Sequence, residues 1–154
     1  MGVREQVQEG RNWIQKVGEW VPGFRGYYAK EHRRDADALV REAAASRLKA
    51  ASDAIGEACL PLIKAKNLEE VERLQRLAQR LAALADRART AARGYAGFFD
   101  AVKVREDELD RIYEQDLRLL GAAEAVRREP SEKKAAEIEG ILDARKESLL
   151  DLSN

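Results

Sequence analysis

The chain contains one histidine and one cysteine, His32 and Cys59. Nucleophilic triads need a histidine base beside the nucleophile, and the charged neighbours of His32 predict an exposed helical position instead. A ferritin-like carboxylate site needs Glu-x-x-His on two helices, but residue 29 is alanine. A single cysteine excludes an intramolecular disulfide and a cysteine-based zinc site, and its apolar neighbours predict burial. We therefore predict no catalytic residue, metal site or cofactor.

Carboxylates are concentrated in one predicted helix, where they could bind Mg²⁺ or Ca²⁺ through oxygen ligands. The run comprises Glu106, Asp107, Glu108, Asp110, Glu114 and Asp116. A regular helix splays such side chains apart, and the run has no glycine-containing calcium loop. We interpret it as a solvated helix face. Metal-dependent catalysis at this run is the weakest of the functional hypotheses.

An arginine stripe recurs at helical spacing and could contact phosphates or an acidic protein. Its members are Arg73, Arg76, Arg80 and Arg87. Nearby acids dilute the stripe, and the net charge of the chain is zero, which removes any global attraction for nucleic acid. The sequence has no glycine-rich phosphate loop and no aromatic stacking platform. Polyanion binding is therefore an alternative hypothesis, and contact with the acidic C-terminal half of the chain explains the stripe equally well.

Trp13 and Trp20 lie seven residues apart, on one face of a predicted amphipathic helix over residues 3–20. Such a pair could anchor the helix at a membrane interface or in a partner's groove. The polar face mixes acidic with basic residues, so membrane contact is a weaker alternative. The breakers after residue 21 predict a separate N-terminal helix and turn over 1–23, held more weakly than a bundle over 24–154.

A central helical seam explains the rest of the pattern. Apolar residues alternate in steps of three and four at Val71, Leu74, Ala78, Leu81, Ala85, Ala88, Ala92 and Tyr95. This is a coiled-coil heptad pattern, and additional leucines widen it into a face suited to a bundle core. The 154 residues are 36% charged and 45% hydrophobic, which suits one helical domain.

The predicted fold is all-α: an antiparallel helical bundle of about four long helices with an additional N-terminal amphipathic helix. We predict the four helices near 27–64, 68–94, 100–129 and 131–152, and short connections make neighbours antiparallel. Pro61 should kink or end its helix, and Asn67 is a plausible N-cap. The predicted core includes Leu48, Ile55, Leu74, Leu81, Tyr95, Phe99, Leu109, Tyr113, Leu120, Ile138 and Leu142.

Residues 68–128 allow two interpretations. The heptad continues across them, so one helix of about 90 Å is conceivable. Glu106 and Asp116 also fall on this seam, and charges there argue against unbroken register. We therefore favour a break near Gly94–Gly97.

Charge is unequally distributed along the chain. Residues 1–95 carry 18 basic against 13 acidic side chains, whereas residues 96–154 carry 10 against 15. Helices of opposite charge could pack beside each other, or copies could associate head to tail.

No long apolar run or signal peptide is recognisable, so we expect a cytoplasmic protein. We expect a non-enzymatic scaffold, adaptor or self-associating subunit that binds a protein partner or its own copy; nucleic-acid or polyanion binding through the arginine stripe is the alternative, and membrane contact through Trp13 and Trp20 is the weaker one.

Overall fold

The computed structural model describes residues 33–91 and 106–153, and the side chains of 38–91 and 114–147. It contains α1 (Arg33–Lys64), α2 (Leu68–Thr90), α3 (Glu106–Arg128) and α4 (Glu132–Ser153). The described part has no strand, which confirms the all-α class. The predicted N-terminal helix with Trp13 and Trp20, the turn around residue 23 and the proposed break at Gly94–Gly97 lie outside the described residues.

The connection between α1 and α2 is a tight helix-ending turn. Asn67 N–H donates to the Leu62 carbonyl at 2.9 Å, and Lys66 N–H donates to the Ile63 carbonyl at 3.0 Å. Lys66 is left-handed, with φ 60°, as this type of helix end requires. Asn67 occupies the predicted N-cap position but makes no side-chain capping hydrogen bond.

Pro61 lies inside α1, and the helix continues for three more residues to Lys64. Proline removes one backbone donor, but its carbonyl still accepts a 3.0 Å hydrogen bond from Ala65 N–H. The tight turn therefore ends the helix, and Pro61 does not.

Contacts between helices give their directions. Ser52 Oγ donates to the Ala78 carbonyl at 2.8 Å, and Arg89 Nε donates to Glu42 at 3.1 Å, so α1 and α2 are antiparallel. The pairing of Asp116 with Arg145 across a short connection makes α3 and α4 antiparallel as well.

α2 and α4 run side by side in the same direction. Arg80 binds Glu132 and Glu139, and Arg87, further along α2, binds Asp143, further along α4. Since α3 opposes α4, it also opposes α2. The chain therefore reverses direction between α2 and α3, which excludes one continuous helix over 68–128.

α1 packs beside α2 and α3, and α4 packs beside the same two helices. This pairing places α2 and α3 across a diagonal. The core contains six of the predicted residues, all at most 4% exposed: Leu48, Ile55, Leu81, Leu120, Ile138 and Leu142. Cys59 is buried as predicted, and Leu74 is partly buried against the core. The side chains of Tyr95, Phe99, Leu109 and Tyr113 lie outside the described set.

The α1–α2 hairpin extends further along the bundle axis than the α3–α4 hairpin. Ser52 and Ala78 face each other across the α1–α2 hairpin. Glu132, the first residue of α4, binds Arg80 within about one turn of that level. The α3–α4 connection therefore lies near this level, and the α1–α2 hairpin extends about 15 Å beyond it at 1.5 Å per residue.

Candidate functional site

Two members of the arginine stripe fasten α2 to α4. Arg80 donates to Glu132 and Glu139, both at 2.8 Å, and these hydrogen bonds raise the pKa of its guanidinium, with Glu139 the larger cause. Arg87 binds Asp143 one to two turns further on. These contacts match the positive charge of α2 with acids of the same chain, which reduces what the stripe offers a polyanion.

The remaining two arginines lie nearer the start of α2. Arg73 Nε donates to Glu70 at 2.9 Å, and this contact lowers the pKa of the Glu70 carboxyl. Arg76 has a 4.0 Å contact with Glu72, and its side chain is 70% exposed. Arg76 is therefore the member of the predicted stripe with the most solvent-accessible charge.

The charge asymmetry of the sequence is matched by contacts within the chain. α1 also binds α3 through Arg47, whose Nε donates to Glu124 at 2.9 Å. Together with the α2–α4 pairs, this shows basic helices of the first half lying beside acidic residues of the second. The charge asymmetry therefore no longer argues for head-to-tail association of copies, because the opposite charges already meet within one chain.

Glu124 lies at the centre of the α1–α3 contact. Its carboxylate accepts hydrogen bonds from Arg127 at 2.6 and 3.0 Å, from Arg128 at 3.3 Å and from Arg47. Arg127 first, and then Arg47, lowers the pKa of Glu124 to about 2. These contacts join α1 to α3. They also keep the Glu124 carboxylate ionised at neutral pH, so it does not act as a proton-transfer group there.

Charged side chains also enter the core. Asp116 and Arg145 are 0% and 1% exposed, and Arg145 Nε donates to Asp116 Oδ1 at 2.6 Å. Arg41 is buried as well, at 3%. The heptad placed Asp116 on the apolar seam, and its burial agrees with that phase, so the interpretation of the acidic run as a solvated face is wrong for Asp116. Its charge does not break the helix because a buried arginine of α4 binds it.

The uncovered end of the α1–α2 hairpin, defined as residues 54–77, is the most exposed apolar part of the described chain. Leu60, Ile63 and Leu68 are 60%, 47% and 64% exposed and are the only large hydrophobic side chains so exposed among the described residues. Beneath them, Cys59 and Val71 remain buried between α1 and α2. The uncovered end therefore has a packed interior, and three exposed large apolar side chains stand among charged ones on its surface.

No protein-family model matches the chain, and neither a curated protein nor a solved structure matches it. Among the described residues, no group of three or more histidine, cysteine, aspartate or glutamate side chains could hold a metal ion. Within the same ranges, no helix has the length and hydropathy needed to cross a membrane.

Sequence analysis alone missed the uncovered end. Leu60, Ile63 and Leu68 look like ordinary core residues in a helical pattern, but the structure leaves all three exposed near the tip of the α1–α2 hairpin. A signal was nevertheless present: the predicted helices 27–64 and 68–94 bracket a longer hairpin than the helices that follow. Trp13 and Trp20 lie outside the described residues.

Proposed function

We propose that this chain is a non-enzymatic helical module, acting as a scaffold, adaptor or self-associating subunit through its uncovered end. The observation that carries this proposal is the overhang of one hairpin past the other, with large apolar side chains exposed on it. An exposed apolar cluster at a projecting end is costly for a protein with no partner, because it invites nonspecific association. Residues 24–154 form the bundle in this proposal, and residues 1–23 form an attached amphipathic arm.

We place the protein in the cytoplasm. The thiol of Cys59 is free and buried, which suits a reducing compartment. Nucleic acid is a less favoured partner, since Arg80 and Arg87 already bind acids of α4.

Site-specific photo-crosslinking in cells of the native host tests the proposal. A benzophenone amino acid would replace Leu60 or Ala58 on the uncovered end. Matched controls would replace Glu137 or Lys146, which are exposed on α4. We expect protein adducts from the first pair and few from the second, because among the described residues the exposed large apolar side chains lie on the uncovered end. Equal labelling at all four positions, or adducts with nucleic acid in place of protein, would contradict the proposal.

A further inference from the structure

One side of α1 continues past the end of α3, and none of the described helices covers it there. Arg47 marks this side, because it binds Glu124 of α3. Helical steps of three and four from Arg47 lead to Ala51, Ala54, Ala58, Leu62 and Ala65. Ala51 is fully buried, whereas Ala54 and Ala58 on the same side are exposed. None of these five residues is charged, so an apolar stripe that is buried at Ala51 becomes exposed at Ala54 and Ala58, is half-buried at Leu62 and ends at Ala65, just past α1.

The matching side of α2 is charged. Arg80 marks it by binding α4, and backward helical steps lead to Leu77, Arg76, Arg73, Glu70 and Glu69. Arg73 and Glu70 bind each other, so the middle of this surface is neutral. Glu69 and Arg76 lie at its two ends, two turns apart on the same side and opposite in charge.

We propose that a second copy of this chain packs on this bare side, with the helices of the two uncovered ends antiparallel. The proposal rests on the proposed function, since it names a partner for one side of the uncovered end; Leu60 and Leu68 lie on other sides of their helices and stay outside this pairing. A parallel pairing is sterically blocked, because the α3–α4 hairpins of both copies would occupy the same space. In the antiparallel pairing, each α3–α4 hairpin lies beyond the tip of the other copy, and a four-helix core continues through the joint.

The charge pattern supports the same register. The α2 part of the uncovered end, residues 68–77, has its midpoint between Glu72 and Arg73. An antiparallel two-fold arrangement about this midpoint sets Glu69 opposite Arg76 of the second copy, and the pair occurs twice by symmetry. Since Ser52 lies opposite Ala78, the same level on α1 falls near Ala58. Its small side chain allows the two α1 helices to approach closely.

The size of this surface limits how tightly two copies of the chain can associate. Two helices about 10 Å wide and about 15 Å long present about 300 Å² in projection. A standard stable interface buries about 800 Å² per partner. The dimer should therefore be weak and should dissociate on dilution.

Complementary charge reversal tests the pairing in the full chain. Glu69→Arg makes both ends of the α2 surface positive, and Arg76→Glu makes both ends negative. Each variant alone should dimerise roughly tenfold more weakly in sedimentation equilibrium, because two attractive pairs become repulsive. An equimolar mixture should recover parental association or exceed it. A parent that is monomeric at every concentration, or a mixture no better than its components, would overturn the proposal.

A disulfide provides a second readout that does not depend on charge. In a Cys59→Ala background, Ala58→Cys should form an intermolecular disulfide under mild oxidation, because the two thiols meet near the two-fold axis. Asp53→Cys, on the opposite side of α1, is the matched control and should react far less. Equal reaction of both variants would overturn the proposed packing.

The benzophenone at Ala58 separates the two proposals. Adducts with a second copy support this inference. Adducts with a different protein would overturn it and leave the proposed function standing. Adducts within one chain, to residues 1–32, would overturn it by showing that the N-terminal segment fills this side.

Discussion

Arg145 Nε donates a 2.6 Å hydrogen bond to Asp116 Oδ1, and both side chains are withdrawn from solvent. This ion pair joins α4 to α3 inside the core. A buried ion pair gains little net stability over a well-packed apolar pair, but removing one partner strands the other charge. Its role is better described as fixing how α3 and α4 align than as adding stability.

Asp116→Leu should therefore lower the free energy of unfolding by about 3–5 kcal/mol, because it leaves the Arg145 guanidinium buried without this carboxylate. The double variant Asp116→Leu/Arg145→Met should recover much of that loss. Urea denaturation of the parent, the single variant and the double variant measures both effects. A double variant at least as unstable as the single variant would contradict this prediction. It would show that the ion pair contributes more to stability than the cost of burying its two charges.

Leu81 is fully buried on α2 within the core. Leu81→Ala should cost about 2–5 kcal/mol, since it removes buried methyl groups and leaves a cavity. The matched control, Gln79→Ala, changes an exposed position of the same helix and should stay within about 0.5 kcal/mol of the parent. Thermal or urea unfolding measures the stability of both variants. A Leu81→Ala variant as stable as the control would contradict the core packing of α2.

Glu124 should make stability depend on acid pH. Its folded-state pKa, about 2, lies below the usual 4.5, so the unfolded chain binds more protons between these values. The stabilisation is therefore complete above about pH 4.5 and is lost as the pH falls towards about 2. Glu124→Gln should lower stability by about 1–3 kcal/mol at pH 7 and flatten this part of the profile. Glu137→Gln, exposed on α4, is the control, and a profile unchanged by Glu124→Gln would contradict the assignment.

Lys66 holds a left-handed conformation in the α1–α2 turn, with φ 60°. Lys66→Gly should raise the free energy of unfolding by about 1 kcal/mol, because glycine adopts this conformation without a Cβ penalty. Lys64→Gly provides a control of opposite sign, since Lys64 is the last helical residue and glycine there should destabilise. If both substitutions destabilise equally, the turn differs from the structure described here.

The sequence was sufficient for helix type and approximate bounds, because local periodicity and turn residues determine both. The predicted 131–152 helix is observed as Glu132–Ser153, and the predicted 100–129 helix is described from Glu106 to Arg128. Ser131 illustrates the signal: its hydroxyl accepts a hydrogen bond from Lys134 N–H at 3.2 Å at the start of α4.

The sequence was insufficient for what depends on contacts between distant segments. Periodicity showed that Asp116 faces the core, but it could not show that Arg145 meets it 29 residues later. It left the arginine stripe open between a polyanion and the acidic C-terminal half of the chain, and it could not show that Arg80 bridges to Glu132 and Glu139 of α4. The stagger that creates the uncovered end is also a tertiary property, since it depends on how one hairpin docks against the other.

The diagonal placement of α2 and α3 has a consequence for the order of folding. Each hairpin closes a short loop, so its contacts form at a small entropic cost. Joining the hairpins requires contacts such as Arg47 with Glu124, which are 77 residues apart. Long separations slow folding, so each hairpin should gain helical structure before the two dock. Nearly all of the uncovered end forms through the local contacts of the α1–α2 hairpin, which are made early in folding. A nascent α1–α2 hairpin could therefore already present it while the rest of the chain is still being synthesised.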